Sequence, residues 1–529
     1  MFRLKILTST VLSAGMMAAS VMAQETRQNV VLNSASEVAG EMDGAASAQK
    51  LPVKFAKGVP YPSGSSTPLA VAVGDVNGDG HADLVVANNC DANCQQGSVG
   101  ILLGKGDGTF QSVVSYSSGG YGAHAVAIGD VNHDGKLDVL VANFCGPVPC
   151  GGGSLMGVSV LFGNGDGSFQ TAVNYSSGGY EADAIAIADV NGDGKADIVV
   201  GNCSSGNAGT CDSGSVGILL GNGNGTFQAP VVYASGGAGA TSVAVGDVNG
   251  DGKLDLVVAN CSESGELCGA EATNGSIGVL LGNGNGTFQA AVNYSTGYLA
   301  QSVALGDLNG DGHPDVVVAA GYAGVLIGNG DGTFQPVVNY KSGGFSPESV
   351  AVSDVNGDAR PDVVVVSRCW NPQTCHFGAV GVLAGLGDGT LQDAVRYSSE
   401  GSGAFGVGIG DMNGDGRIDL AAASFTVAVF LNKLSATTTL QLTSSLNPSQ
   451  VNQSVTFTAS VNSQSPLPDG SLIAFYSGGT QIGTGKTASG VASLTTSFSA
   501  AGKYTIQAVY AGDAYHKKSS KKVKQVVNP

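Results

Sequence analysis

From about residue 68 to residue 432 the chain is written as short apolar runs separated by breaks rich in glycine, asparagine and aspartate. The first set reads LAVAVGD at residues 69–75, DLVVAN at 83–88, SVGILLG at 98–104 and TFQSVVSY at 109–116. Short runs of valine, isoleucine, leucine and alanine bounded by turn formers predict strands, and no helical period is visible past the first 23 residues. The same succession returns seven times, each time with an Asp-x-Asn-x-Asp loop between its first two strands. These loops begin at Asp75, Asp130, Asp189, Asp247, Asp307, Asp354 and Asp411. Separations of 55, 59, 58, 60, 47 and 57 residues indicate one supersecondary unit stacked repeatedly on its neighbours.

Turns of the form GNGDG or GNGNG recur at 163–167, 221–225, 282–286 and 328–332. Their glycines suit a tight hairpin between third and fourth strands. Four antiparallel strands repeated radially predict an all-β, seven-bladed β-propeller over residues 51–432. The seventh repeat supplies FGVGIGD, DLAAAS and TVAVFLN, then leaves at Lys433 without a fourth strand. The segment LPVKFAKGVPY at 51–61 resembles the fourth-strand run GTFQSVVSY. It is expected to supply the missing outer strand and so to close the ring without an open edge.

Residues 435–529 change in character: glycine falls, serine and threonine rise, and short alternating runs predict a small β-sandwich. Its core is expected to rest on aliphatic residues with Phe475, Tyr504 and Tyr510. Lysines 517, 518, 521, 522 and 524 are expected on a solvated edge strand.

Residues 1–23 carry Arg3 and Lys5, an apolar stretch and the small-residue ending Val21-Met22-Ala23, the form of a cleaved signal peptide. Residues 24–50 read as a flexible polar leader, and no later apolar run is long enough to span a membrane. A secreted or cell-surface, monomeric protein is therefore expected. The formal charge is −18, which disfavours nucleic acid as a partner. Ten cysteines fall as five close pairs, Cys90 with Cys94, Cys145 with Cys150, Cys203 with Cys211, Cys261 with Cys268, and Cys369 with Cys375. In an exported chain these read as disulfides, each stapling one loop of its own repeat.

The first Asp loop, DVNGDGHAD, has oxygen side chains at positions 1, 3, 5 and 9 and glycine at 6. A tight loop can bring such oxygens toward one Ca²⁺, with the glycine permitting the turn. Unlike a helical calcium hand, the last acidic residue opens a strand. These residues resemble the FG-GAP and VCBS repeats of integrin alpha subunits and many bacterial secreted proteins, over about residues 51–432. The resemblance implies calcium ligation by Asp75, Asn77, Asp79 and Asp83. It implies the same for Asp130, Asn132, Asp134 and Asp138, for Asp189, Asn191, Asp193 and Asp197, and for Asp247, Asn249, Asp251 and Asp255. The remaining sets are Asp307, Asn309, Asp311 and Asp315, then Asp354, Asn356, Asp358 and Asp362, then Asp411, Asn413, Asp415 and Asp419. In the sixth loop Ala359 replaces the glycine, so up to seven ions are expected, with the sixth site the weakest or empty. The C-terminal region resembles the immunoglobulin-like repeats of bacterial adhesins.

Alternating strand direction puts the Asp loops and GNGDG turns on one face and the cysteine loops and sheet-to-sheet connections on the other. Tyr121, Tyr180, Tyr298 and Phe345 in those connections, with Trp370 in an exposed loop, are the candidate ligand face. The expected partner is a glycan or an extracellular protein surface. No recognisable catalytic motif appears, and a non-enzymatic recognition protein is expected. The alternative is a calcium-dependent polysaccharide-degrading enzyme such as a lyase.

Overall fold

The computed structural model describes residues 53–529 apart from 66, 91–95, 146–156, 204–210, 212, 264–273, 374 and 464–466. The signal peptide and the leader expected at 1–23 and 24–50 lie outside the described residues. The described residues form strands and no helix, so none is a helix long and apolar enough to cross a membrane.

The first repeat folds as β2 (Pro68–Gly74), β3 (Asp83–Asn88), β4 (Ser98–Leu102) and β5 (Val114–Ser117), paired antiparallel in chain order. Five more four-stranded sheets of the same order follow between residues 121 and 398. Every residue of β3 is buried, because the strand is covered on both faces by neighbouring sheets. Its near-continuous apolar run reflects that position. The first strands of successive sheets touch in order, and the last of them, 406–410, touches β2 again. Seven four-stranded sheets thus close into a propeller.

The closure is made as the sequence suggests. The N-terminal strand β1 (Val59–Tyr61) pairs antiparallel with residues 427–429, Val59 opposite Val429 and Tyr61 opposite Val427, and completes the last sheet. Phe55 forms a further bridge to Asn432. A repeated aromatic contact explains why this segment can stand in for a fourth strand. At most junctions the tyrosine of one outer strand meets the phenylalanine of the next sheet edge to face, as in Tyr116–Phe169 at 5.7 Å and Tyr175–Phe227 at 5.2 Å. Phe55 takes that position against Tyr397 at 5.7 Å, and Tyr61 takes the other against Phe110 at 5.2 Å. The segment therefore reproduces both halves of the junction.

The fourth strands are shorter than the sequence suggests. Gly104 and Phe110 meet in an isolated bridge, and pairing resumes only at Val114. Burial of Phe110 against Tyr61 takes precedence over the ladder there.

The C-terminal module packs a three-stranded sheet (438–444, 455–463, 491–496) against a five-stranded one (449–450, 519–528, 502–510, 472–477, 480–486). Phe457, Ile473, Phe475 and Ile506 are fully buried in its core, with Tyr510 beside them and Tyr504 partly buried. Phe457 and Phe498 carry core packing that the sequence reading did not assign. Lys521, Lys522 and Lys524 lie exposed on the last strand.

Candidate cation loops and the opposite face

Each Asp loop is folded by its own first aspartate. Asp75 Oδ1 accepts the amides of Gly78 (2.7 Å) and Asp79 (3.1 Å), and its Oδ2 accepts that of Gly80 (2.8 Å). Asn77 Oδ1 accepts the amide of Asp79 at 2.9 Å, and Asp79 Oδ1 that of His81 at 2.8 Å. The backbone turns left-handed at Gly78 and Gly80, with φ of 74° and 83°. Glycine there avoids the clash an L side chain would meet.

The ninth residue has a structural role that sequence reasoning missed. Asp83 is fully buried; its Oδ2 accepts the amide of Val76 at 2.9 Å and its Oδ1 that of Gly104 at 2.6 Å. One carboxylate thereby ties the start of the loop to the end of the third strand. Asp138, Asp197, Asp255, Asp315 and Asp362 make the same pair of bonds, and Asp419 bonds Met412 and Asn432. Burial pushes the Asp83 carboxyl up to about 6. The two backbone donors oppose the rise, and the charges of Asp79 and Asp75 add to it. Asp419 is likewise pushed up to about 6, chiefly by burial. By contrast Asp79, exposed, is held below its ordinary value first of all by the His81 amide.

In six of the loops the donor set is of the kind Ca²⁺ takes: two or three carboxylates and an amide oxygen, all hard donors, around an exposed turn. A buried ninth carboxylate beside two like charges is also a group that a cation would stabilise. Among the described residues no three acidic side chains stand close enough to enclose an ion as they are. Ligation would require the side chains at positions 3 and 5 to turn from their loop amides.

The Asp loops and hairpin turns share one face and interlock between sheets. The turn glycine of one sheet donates to the second residue of the preceding sheet's Asp loop. Gly225 to Val131 (3.3 Å), Gly286 to Val190 (3.3 Å), Gly332 to Val248 (3.2 Å), Gly389 to Leu308 (3.1 Å) and Gly108 to Met412 (3.1 Å) all follow this rule. At the junction of the first and seventh loops a cavity of about 330 Å³ is lined by Asp75, His81, Gly106, Asp411 and Met412 among others.

The opposite face carries the cysteine loops. Cys203–Cys211 and Cys369–Cys375 are bonded, with Cα atoms 5.5 and 4.4 Å apart. Cys90, Cys145 and Cys261 are disulfide-bonded as well, while their expected partners Cys94, Cys150 and Cys268 lie outside the described residues. Tyr298 and Phe345 are 40% and 42% exposed, and Tyr121 and Tyr180 are half-buried. Trp370 is also half-buried, which corrects the expectation that it stands free. The Arg396 guanidinium lies over its ring, 4.2 Å from the centroid, and Arg396 donates to the Trp370 carbonyl. Phe377 and Phe425, 56% and 54% exposed, lie in second-to-third-strand connections of this face. The sequence reading passed over both. Their signal was their place in the second-to-third-strand connections, which in five of the repeats carry the cysteine pairs.

The chain matches the FG-GAP-like repeat over residues 75–141, 150–200, 208–258, 266–318 and 316–365, about half its length, and the FG-GAP repeat over 182–219. Residues 442–528 match the bacterial Ig-like domain (group 3). The protein thus belongs to the FG-GAP-like repeat family, with a bacterial Ig-like domain at its C-terminal end. None of the curated proteins compared matches it. Among solved structures it is similar to BBS1N, crystallised in complex with ARL6DN and soaked with mercury. That match has 12% identity and a TM-score of 0.44 over 71% of this chain and 95% of that one. A lead-soaked crystal of the same complex gives 13%, 0.43, 72% and 96%. Likeness at this level says nothing of function.

Proposed function

We propose that the protein is a secreted, calcium-binding, non-enzymatic recognition protein that holds a glycan or an extracellular protein surface on the cysteine-loop face of its propeller. FG-GAP-like repeats build propellers that typically bind or recognise, and the disulfides suit an extracellular setting. The observation that carries the reading is the distribution of exposed aromatic rings. Among the described residues, Tyr298, Phe345, Phe377 and Phe425 are the exposed large aromatics, and all four lie on that one face. Exposed rings gathered on one face, with Phe345 paired to Cys369 and Phe377 two residues past Cys375 of the Cys369–Cys375 disulfide, supply apolar contact area at low entropic cost, as sugar and protein recognition need. Calcium on the other face then fixes the ring rather than touching the ligand.

A glycan array and an envelope-protein pull-down in millimolar Ca²⁺ test this reading. Binding that is lost in Tyr298→Ala with Phe345→Ala, while the protein remains folded, supports it. Binding that survives those changes and is lost on altering the Asp-loop face overturns it.

A further inference from the structure

The sixth Asp loop differs from the others by what lies on it. In the first loop Asn77 is half-buried and Gly78 and Asp79 are exposed, whereas their counterparts Asn356, Gly357 and Asp358 are buried, Asn356 fully and Asp358 to 6% exposure. The covering group is Tyr515 of the C-terminal module: a Cβ added at Gly357 would come within 2.2 Å of the Tyr515 ring. The Tyr515 hydroxyl accepts the amide of Ile418, in the seventh loop, at 3.0 Å. Tyr515 is held in place from its own side. Asp513 accepts the amides of Tyr515 and His516 at 2.9 and 2.7 Å, and the Ala436 amide of the connecting segment donates to the Tyr515 carbonyl at 2.8 Å. Arg417, paired with Asp415, donates to the Leu434 carbonyl at 2.6 Å and anchors the same segment.

The donor set of this loop has been rearranged to match. In the other six loops the third-position asparagine accepts the amide of the fifth residue through Oδ1. In the sixth, the Asn356 amide nitrogen donates to Asp362 Oδ1 at 3.1 Å, an oxygen that also accepts the Gly385 amide. That oxygen thus accepts twice, and the Asn356 side chain is committed to Asp362 rather than to the loop amide that its counterparts hold. Ala359 does not cause this by itself. It keeps a φ of 64°, and its amide still reaches Asp354 Oδ2 at 2.7 Å, as Gly80 reaches Asp75.

We infer that the sixth loop takes no cation and is the socket on which the Ig-like module is seated, so that propeller and module form one body and six loops remain for calcium. The ion count rests on the calcium reading above; the seating does not. Two measurements on the full chain separate them. Native mass spectrometry in excess Ca²⁺ is expected to show six ions. Seven overturn the inference, and none overturns the calcium reading and with it the ion half of this one. Amide exchange at Ile418 judges the seating without calcium: Tyr515→Phe, which removes only the hydroxyl, is expected to speed it about tenfold while the first loop is unchanged. Small-angle scattering of Tyr515→Ala should show an expanded molecule. Unchanged exchange together with unchanged scattering overturns the seating.

Discussion

The side-chain nitrogen of Asn432 donates to the carbonyl oxygen of Val355 at 2.7 Å across the junction between the sixth and seventh sheets. At five other junctions the corresponding acceptor is met by a backbone amide of a hairpin-turn glycine. The seventh sheet has no such hairpin, because its outer strand comes from the N-terminal segment. A side chain therefore replaces a main-chain donor at the one place where the ring is sewn shut.

Asn432 is fully buried, donates also to Ile418 O at 3.1 Å and accepts the Leu434 amide at 3.0 Å. Asn432→Ala strands three backbone groups and is expected to cost about 3 kcal/mol. Urea unfolding checks it; a change under about 0.5 kcal/mol, ordinary for a surface site, contradicts the role.

Phe55 is buried against Tyr397 in the closing segment. Phe55→Ala is expected to cost roughly 3–4 kcal/mol through the lost ring contacts and the cavity left behind. Deleting residues 53–61 should lower the melting temperature further. A melting temperature retained after that deletion would show that the ring does not depend on this closure.

The two bonds of Asp197 do not need an ion. Asp197→Ala is expected to destabilise by about 3 kcal/mol in chelator as well as in Ca²⁺, since two buried amides lose their acceptor. Asp193→Ala, on the exposed part of the same loop, is expected to change stability in chelator far less than Asp197→Ala. Equal effects of the two substitutions in chelator would remove the distinction between a structural ninth residue and an ion-facing fifth.

A carboxylate whose folded pKa lies above its unfolded value favours folding while it is protonated. Without calcium, the ninth-position aspartates therefore contribute most below about pH 4, and that contribution is lost as pH rises through about 6, where Asp83 and Asp419 ionise. Chelated protein is expected to melt at a lower temperature at about pH 7 than at about pH 4.5, and Ca²⁺ should narrow that gap. Thermal scans that show the reverse order in chelator refute the assignment.

Much of the fold is legible in the sequence because the repeat writes each physical requirement several times. Glycine at positions 4 and 6 of most loops matches left-handed backbone, which His133 and Ala359 adopt in the two exceptions, and the near-continuous apolar run of the second strand matches burial on both faces. The closing segment was legible because the six-residue spacing of Phe55 and Tyr61 equals that of Phe110 and Tyr116. What was hidden depends on partners distant in the chain. The amides held by Asp83 come from Val76 and from Gly104 beyond a further strand, and Tyr515 meets Ile418 across 97 residues. Trp370 looked exposed because nothing local to its loop announces the Arg396 guanidinium that covers it.

On the proposed reading the Asp-loop face binds calcium, and the bound ions hold the propeller together. Scanning calorimetry of the full chain with millimolar Ca²⁺ and then with chelator tests it most directly. At free Ca²⁺ of roughly ten times the dissociation constant each site adds about 1.4 kcal/mol, or about 8 for six sites, so the propeller transition should rise by many degrees. Superimposable transitions in the two conditions would contradict the account and leave the loops as hydrogen-bonded turns.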